Sequence, residues 1–386
     1  PTPSPPPSTK KSFFNDTATT EIYTLTRSSA ASDVYKRQRH VSVFIDAAVR
    51  TVLVFVFLLV TVLLVIWAER KFVSDLQNRV GPDRAGPWGI LQSLADGVKA
   101  FFKESIRPTK AEFVLYAAAP IIALLPALLI FMVIPIGAPV TVGGTEYELV
   151  GTDLNIGLLY VLALSSMAVY AVTLAGWSSG SKYPLLGSVR ASAQMISYEA
   201  AMGLALVPVV MFAGTTSIVG IVESQQGTFG SFVPAWNIVL LPSFVVFLIA
   251  GFAETNRAPF DLVEAESEIV GGYHTEYSGL TFALFFLAEY INVFNISALV
   301  AVLFLGGWAG PVFGPSWLEA LLPIFWFLLK TWLIVLFFVW VRATLPRMRY
   351  DQLMDFGWKR LIPVSLAWII LVALAVGVRE FGAPWS

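Results

Sequence analysis

The chain has 386 residues, of which 56% are hydrophobic and only 13% charged, with a mean hydropathy of +0.73 and a net charge of −1. That balance lies far from soluble globular domains and describes a polytopic membrane protein. Cysteine is absent, which excludes disulfides, thiolate metal sites and iron–sulfur ligation within the chain. The two histidines, His40 and His274, fall outside the apolar runs, so no pair on transmembrane helices could hold a haem.

Residues 1–38 differ from the remainder. PTPSPPPSTK is followed by a polar Thr/Ser-rich stretch without a sustained apolar period or the apolar core of a secretory signal, so the segment reads as disordered. FFNDTATTEIYT and SSAASDVYKRQ resemble translated sequencing-adaptor DNA, and the segment is set apart as disordered or spurious. Residues 39–386 are expected to form a single membrane domain.

Eight apolar runs follow, at about 43–67, 114–136, 156–177, 191–212, 236–254, 280–305, 319–341 and 361–379. Each is long enough to cross a hydrocarbon core of about 30 Å as a helix, so the expected fold is an all-α integral membrane protein with eight transmembrane helices. The first connection, residues 67–104, breaks two amphipathic helical segments with the turn GPDRAGPWG, and these are expected to lie along the membrane interface. In the second, Ile90, Leu91, Leu94, Val98, Phe101 and Phe102 recur at helical spacing. Lys and Arg crowd this connection and those after spans three and seven, whereas 137–155, 213–235 and 306–318 have neither. The positive-inside rule then puts the basic loops on the cytoplasmic side and both termini outside.

The densest polar stretch is AETNRAPFDLVEAESEIVGGYHTEY, residues 253–277. Glu254, Asp261, Glu264, Glu266, Glu268 and Glu276 are there, with Arg257 the close counter-charge. Carboxylates at a membrane surface are costly unless solvated, paired or protonated, which points to proton handling. Asp261 and Glu264 are equally suited to capping a helix that Gly271 and Gly272 would end. Glu264 and Glu268 share a helical face, with Glu266 elsewhere. Glu199 and Glu289 each lie eight or nine residues into spans four and six, roughly 12 Å deep at a common level. They could form a polar path, a hydrogen bond between helices, or a salt bridge with Lys330 of span seven. At the end of span one stand Glu69, Arg70 and Lys71, and Phe282, Phe286 and Tyr290 share one face of span six, which suits either ordinary packing or an apolar tunnel for an amphipathic ligand.

Several long strings together carry a resemblance: AERK at 68–71, RVGPDRAGPWGILQSLADGVKAFFKE at 79–104, GWSSGSKYPLLGSVRASAQMISYE at 176–199, AETNRAPFDLVEAESE at 253–268, TEYSG at 275–279, AEY at 288–290 and RATLPRMRYDQLMDFGWK at 342–359. Over about 43–379 the chain resembles the membrane-arm component of respiratory complex I that joins the redox arm to the proton pumps, the H subunit of the bacterial complex and the counterpart of the first mitochondrial one. The resemblance implies a membrane component of a proton-pumping NADH:quinone oxidoreductase, inactive alone, in a bacterial plasma membrane. It would bind quinone as substrate and carry no flavin, haem, iron–sulfur cluster or metal. Implied quinone-site residues are Glu69, Arg70, Lys71, Asp96, Phe282, Phe286, Tyr290 and Arg342. Those implied for the proton path are Glu199, Glu254, Glu264, Glu266, Glu268, Glu276 and Glu289, with Arg257 fixing their positions. Implied partners are peripheral quinone-site and iron–sulfur subunits on the cytoplasmic side, small and antiporter-like membrane subunits laterally, and lipid, but no nucleic acid. Some relatives carry a carboxylate just before the stretch matching 168–170, where this chain has Ser165, Ser166 and Met167, so hydroxyls and water would serve there. Other readings are the equivalent component of an energy-converting hydrogenase-type complex, or a proton-coupled transporter working alone. Against the transporter, no internal repeat is evident.

Overall fold

Apolar runs that must satisfy every backbone group internally can only become helices, and helices dominate the computed structural model. It describes residues 47–142, 145–229, 233–234, 236–262, 270–312 and 315–381; the 1–38 segment lies outside these. In chain order the helices are α1 (Ala47–Leu76), α2 (Gln92–Phe102), α3 (Phe113–Phe131), α4 (Gly157–Ser178), α5 (Lys182–Ala213), α6 (Ile218–Ser224), α7 (Leu241–Glu254), α8 (Gly279–Phe304), α9 (Ser316–Thr344), α10 (Tyr350–Phe356) and α11 (Ile362–Phe381). Two small antiparallel hairpins, β1 (Val140–Val142) with β2 (Thr145–Tyr147) and β3 (Thr228–Phe229) with β4 (Val233–Pro234), fall in two of the loops that lack Lys and Arg. The chain divides into two compact units, Pro1–Leu53, whose described part is the start of α1, and Val54–Ser386, which holds everything below.

Among the described residues, seven helices are long and apolar enough to cross a membrane, which makes the chain an integral membrane protein. The expected fifth span departs from this. Leu240 breaks from helical geometry and separates a short turn at Asn237–Val239 from α7, whose 14 residues extend about 21 Å against a core of about 30 Å. At its other end Thr255 turns its hydroxyl back on the Gly251 carbonyl, and Asn256 takes a left-handed conformation. Because α7 is short, its polar end is held inside the bundle. The first connection also departs from expectation: its leading segment is simply the end of α1, and only α2 is a separate helix.

At the centre of the bundle stands α8. Of its apolar window 78% is buried, and from Val293 to Phe304 every side chain is inside. Consecutive helices α3, α4 and α5 pack side by side, while α3 and α9 flank α8. Three side chains from other elements satisfy carbonyls at the end of α8: Gln225 reaches Val302, Asn237 reaches Leu303, and Lys330 reaches Leu305. On the opposite side, Gln194 of α5 donates to the Ala253 and Phe260 carbonyls, both at 2.9 Å, fixing the turn that carries Glu254 and Arg257.

Gly187 of α5 lies against the short turn Gly272–His274. A Cβ there would stand 2.7 Å from the Gly272 Cα, a backbone atom that cannot rotate away. Gly187→Ala is expected to destabilise the protein by about 1–3 kcal/mol, read as a lower melting temperature.

Candidate functional site

The site is built on four segments that meet at the loop end of the bundle. Near the end of α1, Glu69 points inward while Arg70, a third of a turn on, points out. The left-handed turn at Asn256 carries Arg257 into the bundle, α9 brings Arg342, and α8 brings Glu289 and Tyr290. Arg257 is 6% exposed and stands between two carboxylates, with Nη1 3.5 Å from Glu69 and Nε 2.9 Å from Glu289. The Glu289 contact is an ion pair whose N–H does not line up as a hydrogen bond. Arg342 forms a second, closer ion pair with Glu69.

Two guanidinium and two carboxylate groups thus close into a formally neutral set, the condition under which buried charge is tolerable. Burial opposes the charge on Arg257, but Glu289 and then Glu69 outweigh it and hold the guanidinium protonated above its ordinary range. Its carbon also sits 4.4 Å over the ring of Tyr290.

Outside this set opens a cavity of about 650 Å³, lined by Glu69, Arg70, Arg79, Phe286, Tyr290 and Arg342 among others. Tyr290 and Phe286 stack on toward Phe282 and His274 with ring centroids 4.9, 5.9 and 5.4 Å apart, an aromatic row one residue wide along α8. Going inward, Glu254 is buried at the end of α7 and shares a cavity of about 40 Å³ with Glu289 and Asn292. It also lies within Coulombic reach of Glu199 on α5. The hydroxyls of Ser165 and Ser166 on α4 both turn to the Glu199 carboxylate, that of Ser165 at 3.5 Å. Charged and polar groups therefore succeed one another from the open cavity into the bundle, in the order Glu69, Arg257, Glu289, Glu254, Glu199.

With that arrangement in place, comparison with known proteins is informative. Residues 49–373 match the NADH dehydrogenase family. The chain belongs to that family. Among its relatives, the H subunit of NADH-quinone oxidoreductase from Frankia alni is 53% identical over 324 residues, which cover 83% of this chain and 71% of the relative. The namesake from Frankia casuarinae is also 53% identical, over 326 residues covering 84% and 71%.

For this member of the NADH dehydrogenase family, the structure sorts the residues singled out in the sequence. Glu69, Arg70, Phe286, Tyr290 and Arg342 meet in one cavity. Asp96 stands behind it as the ion-pair partner of Arg70, Lys71 packs near Gly81, and Phe282 continues the aromatic row. Glu199, Glu254 and Glu289 form the inner row. Glu276 lies instead beside Tyr116, whose hydroxyl donates to its carbonyl, and is not part of the Arg257 set. Glu264, Glu266 and Glu268 lie outside the described residues, as does the helix that Asp261 was expected to cap.

Lys330 requires a correction. It does not join the carboxylate row: its ammonium donates to the carbonyls of Leu305, Gly307 and Ala309 and lies over the Trp236 ring. The end of a helix leaves carbonyls without donors, and three N–H bonds on one cation answer that need. The place is roughly 24 Å along α8 from Glu289, at 1.5 Å per residue. Sequence reasoning missed Gln194, Asn292 and Asn295. The two asparagines were detectable, because 289, 292 and 295 fall on one face of a helix otherwise apolar there.

Two expectations follow. Arg257→Met leaves Glu69 and Glu289 without their shared cation and should cost about 3–5 kcal/mol, and adding Glu289→Gln should restore part of the loss in a double-mutant cycle of melting temperatures. His274, between the spans, has its pKa pushed down to about 4 by burial, with Asp261 opposing. Its folded value lies below the unfolded value of about 6.5, so its contribution is complete above pH 6.5 and lost as pH falls toward 4. His274→Phe should flatten the acid limb of a melting temperature against pH curve over that window.

Proposed function

We propose that this protein is the membrane subunit of a NADH:quinone oxidoreductase, that the cavity at Glu69, Arg342 and Tyr290 is its part of the quinone chamber, and that the inner carboxylates couple quinone reduction to proton translocation. The observation that carries this reading is the sharing of Arg257 between a carboxylate on the cavity wall, Glu69, and one facing the bundle interior, Glu289. A 650 Å³ cavity with an aromatic wall and ionised rim suits an amphipathic ligand whose headgroup needs hydrogen-bond donors. The relatives' name, NADH-quinone oxidoreductase, supplies the ligand class.

The coupling follows from electrostatics at low dielectric. When a quinone at the cavity takes up electrons, negative charge grows beside Arg342 and Glu69. Arg342 then shifts its attraction to the ligand, and Glu69 draws more strongly on Arg257. What Arg257 gives to Glu69 it withdraws from Glu289, whose carboxylate is left freer to take a proton. From Glu289 the proton passes by way of Glu254 to Glu199, where Ser165 and Ser166 offer hydroxyls in place of the carboxylate found in some relatives. Glu264, Glu266, Glu268 and Glu276 belong, in this reading, to the side of the path that meets the partner subunits.

The electrons come from elsewhere: the chain carries no redox centre, is inactive alone, and docks peripheral quinone-site and iron–sulfur subunits on its basic loops. Small and antiporter-like membrane subunits pack laterally. Residues 39–386 act as one membrane domain in a bacterial plasma membrane, with basic loops inside and termini outside.

In the assembled complex, Glu289→Gln and Glu199→Gln should preserve subunit composition but lower the rate of coupled turnover at least tenfold, measured as NADH-driven proton uptake in vesicles. Normal pumping in both variants would remove them from the path. Arg70→Ala, which frees Asp96 and opens the cavity rim, should raise the apparent KM for quinone several-fold with little change in kcat; an unmoved KM would place the ligand elsewhere.

A further inference from the structure

Glu254 forms part of the wall between two small cavities. On one side is the space it shares with Glu289. On the other is a cavity of about 30 Å³ enclosed by α3, α4, α5, α7 and α8, apolar except for Glu254, Ser165, Asn292 and Asn295. Two oxygens in this wall, Glu254 Oε2 and Asn295 Oδ1, are buried without a hydrogen-bond partner among the described residues. Their side chains are 7% and 2% exposed residues, so bulk water does not serve them. The orientation of Asn295 is set by its own amide, since Nδ2 donates to the Ala127 carbonyl at 2.7 Å and leaves Oδ1 as the idle acceptor.

With Glu254 ionised, both atoms are acceptors and cannot satisfy each other. What they need is a small molecule with two donors, and the serine in the same wall cannot stand in, because the Ser165 hydroxyl is engaged with the Leu162 carbonyl and Glu199. A water molecule needs about 10–15 Å³ of this kind of volume, so the cavity holds about two. A metal cation would find too few oxygens there for its coordination shell.

We propose that this cavity is a built water site, in which one or two ordered waters bridge Glu254 Oε2 and Asn295 Oδ1, and that Asn295 is a positioning residue that orients the Glu254 carboxyl through them. The site solvates Glu254 on the side facing away from Glu289. Beyond Asn295 the lining is Leu158, Leu206, Phe247, Leu299 and Leu303, and among the described residues of the wall Glu254 is the one titratable group. Because Ser165 lies in the same wall and donates to Glu199, a proton on Glu254 has Glu289 on one side and, by way of this site, Glu199 on the other. The site's existence is independent of the proton path; only its consequence for coupling rests on that reading.

The test uses the complete complex. A density map of the unmodified protein fine enough to resolve water should show one or two peaks within hydrogen-bonding distance of both oxygens; an empty cavity or a lipid or detergent tail in it overturns the proposal. In infrared difference spectra, the band that vanishes in Glu254→Gln reports the Glu254 carboxyl. In Asn295→Leu, which removes the acceptor and fills the cavity, that band should shift, and an unshifted band overturns the positioning role. If the peaks and the shift are present while Glu254→Gln pumps normally, the water site stands and the proton-path reading of Glu254 falls.

Discussion

A single guanidinium shared by two buried carboxylates is the constraint that the rest of this protein accommodates. Arg257 could not be carried into the bundle alone, because desolvating an unpaired cation costs more than packing returns. Glu69 and Glu289 make its burial possible, and they must come from different helices, since one helix cannot place two carboxylates on both sides of a guanidinium in a neighbouring loop. Arg342 then balances the surplus at Glu69. The four groups tie α1, α8, α9 and the turn after α7 into one electrostatic unit at the floor of the large cavity.

The short α7 is the structural price of that unit. A full-length span would have carried Glu254 and Arg257 out to the membrane surface, where each could be hydrated on its own. Ending after 14 residues, with Gln194 clamping the turn, α7 delivers both groups inside, where they are forced to interact with other helices. At the far end of α8 the same principle works with opposite sign. Lys330, Gln225 and Asn237 bring donors to carbonyls that the end of a helix leaves unpaired, which anchors α8 along its length. The helix that bears Glu289 is thus held by polar contacts at its far end and near its middle, and by apolar packing between them.

Side chains that look equivalent in sequence play different parts for this reason. Arg70 and Glu69 are neighbours, yet one lies at the cavity rim in an ion pair with Asp96 and the other is buried between two arginines. The aromatic row Phe282, Phe286 and Tyr290 has one end at the Arg257 guanidinium and the other at His274, so it connects the charged floor of the cavity to the half-buried imidazole in the preceding turn.

Sequence alone determined the membrane class, the positions of seven spans, the helical face of the aromatic row and the identity of most charged residues at the site. Those follow from composition and from the fixed 3.6-residue period, which are local properties of the chain. Local patterning could not show that 236–254 would yield a 14-residue internal helix, that Lys330 would cap α8 instead of meeting a carboxylate, or that Asn295 would face Glu254 across a cavity. Each of those depends on which helices become neighbours. Only the tertiary structure decided the partners, because charge pairing in a bundle is set by distance between helices and sequence separation carries no record of it.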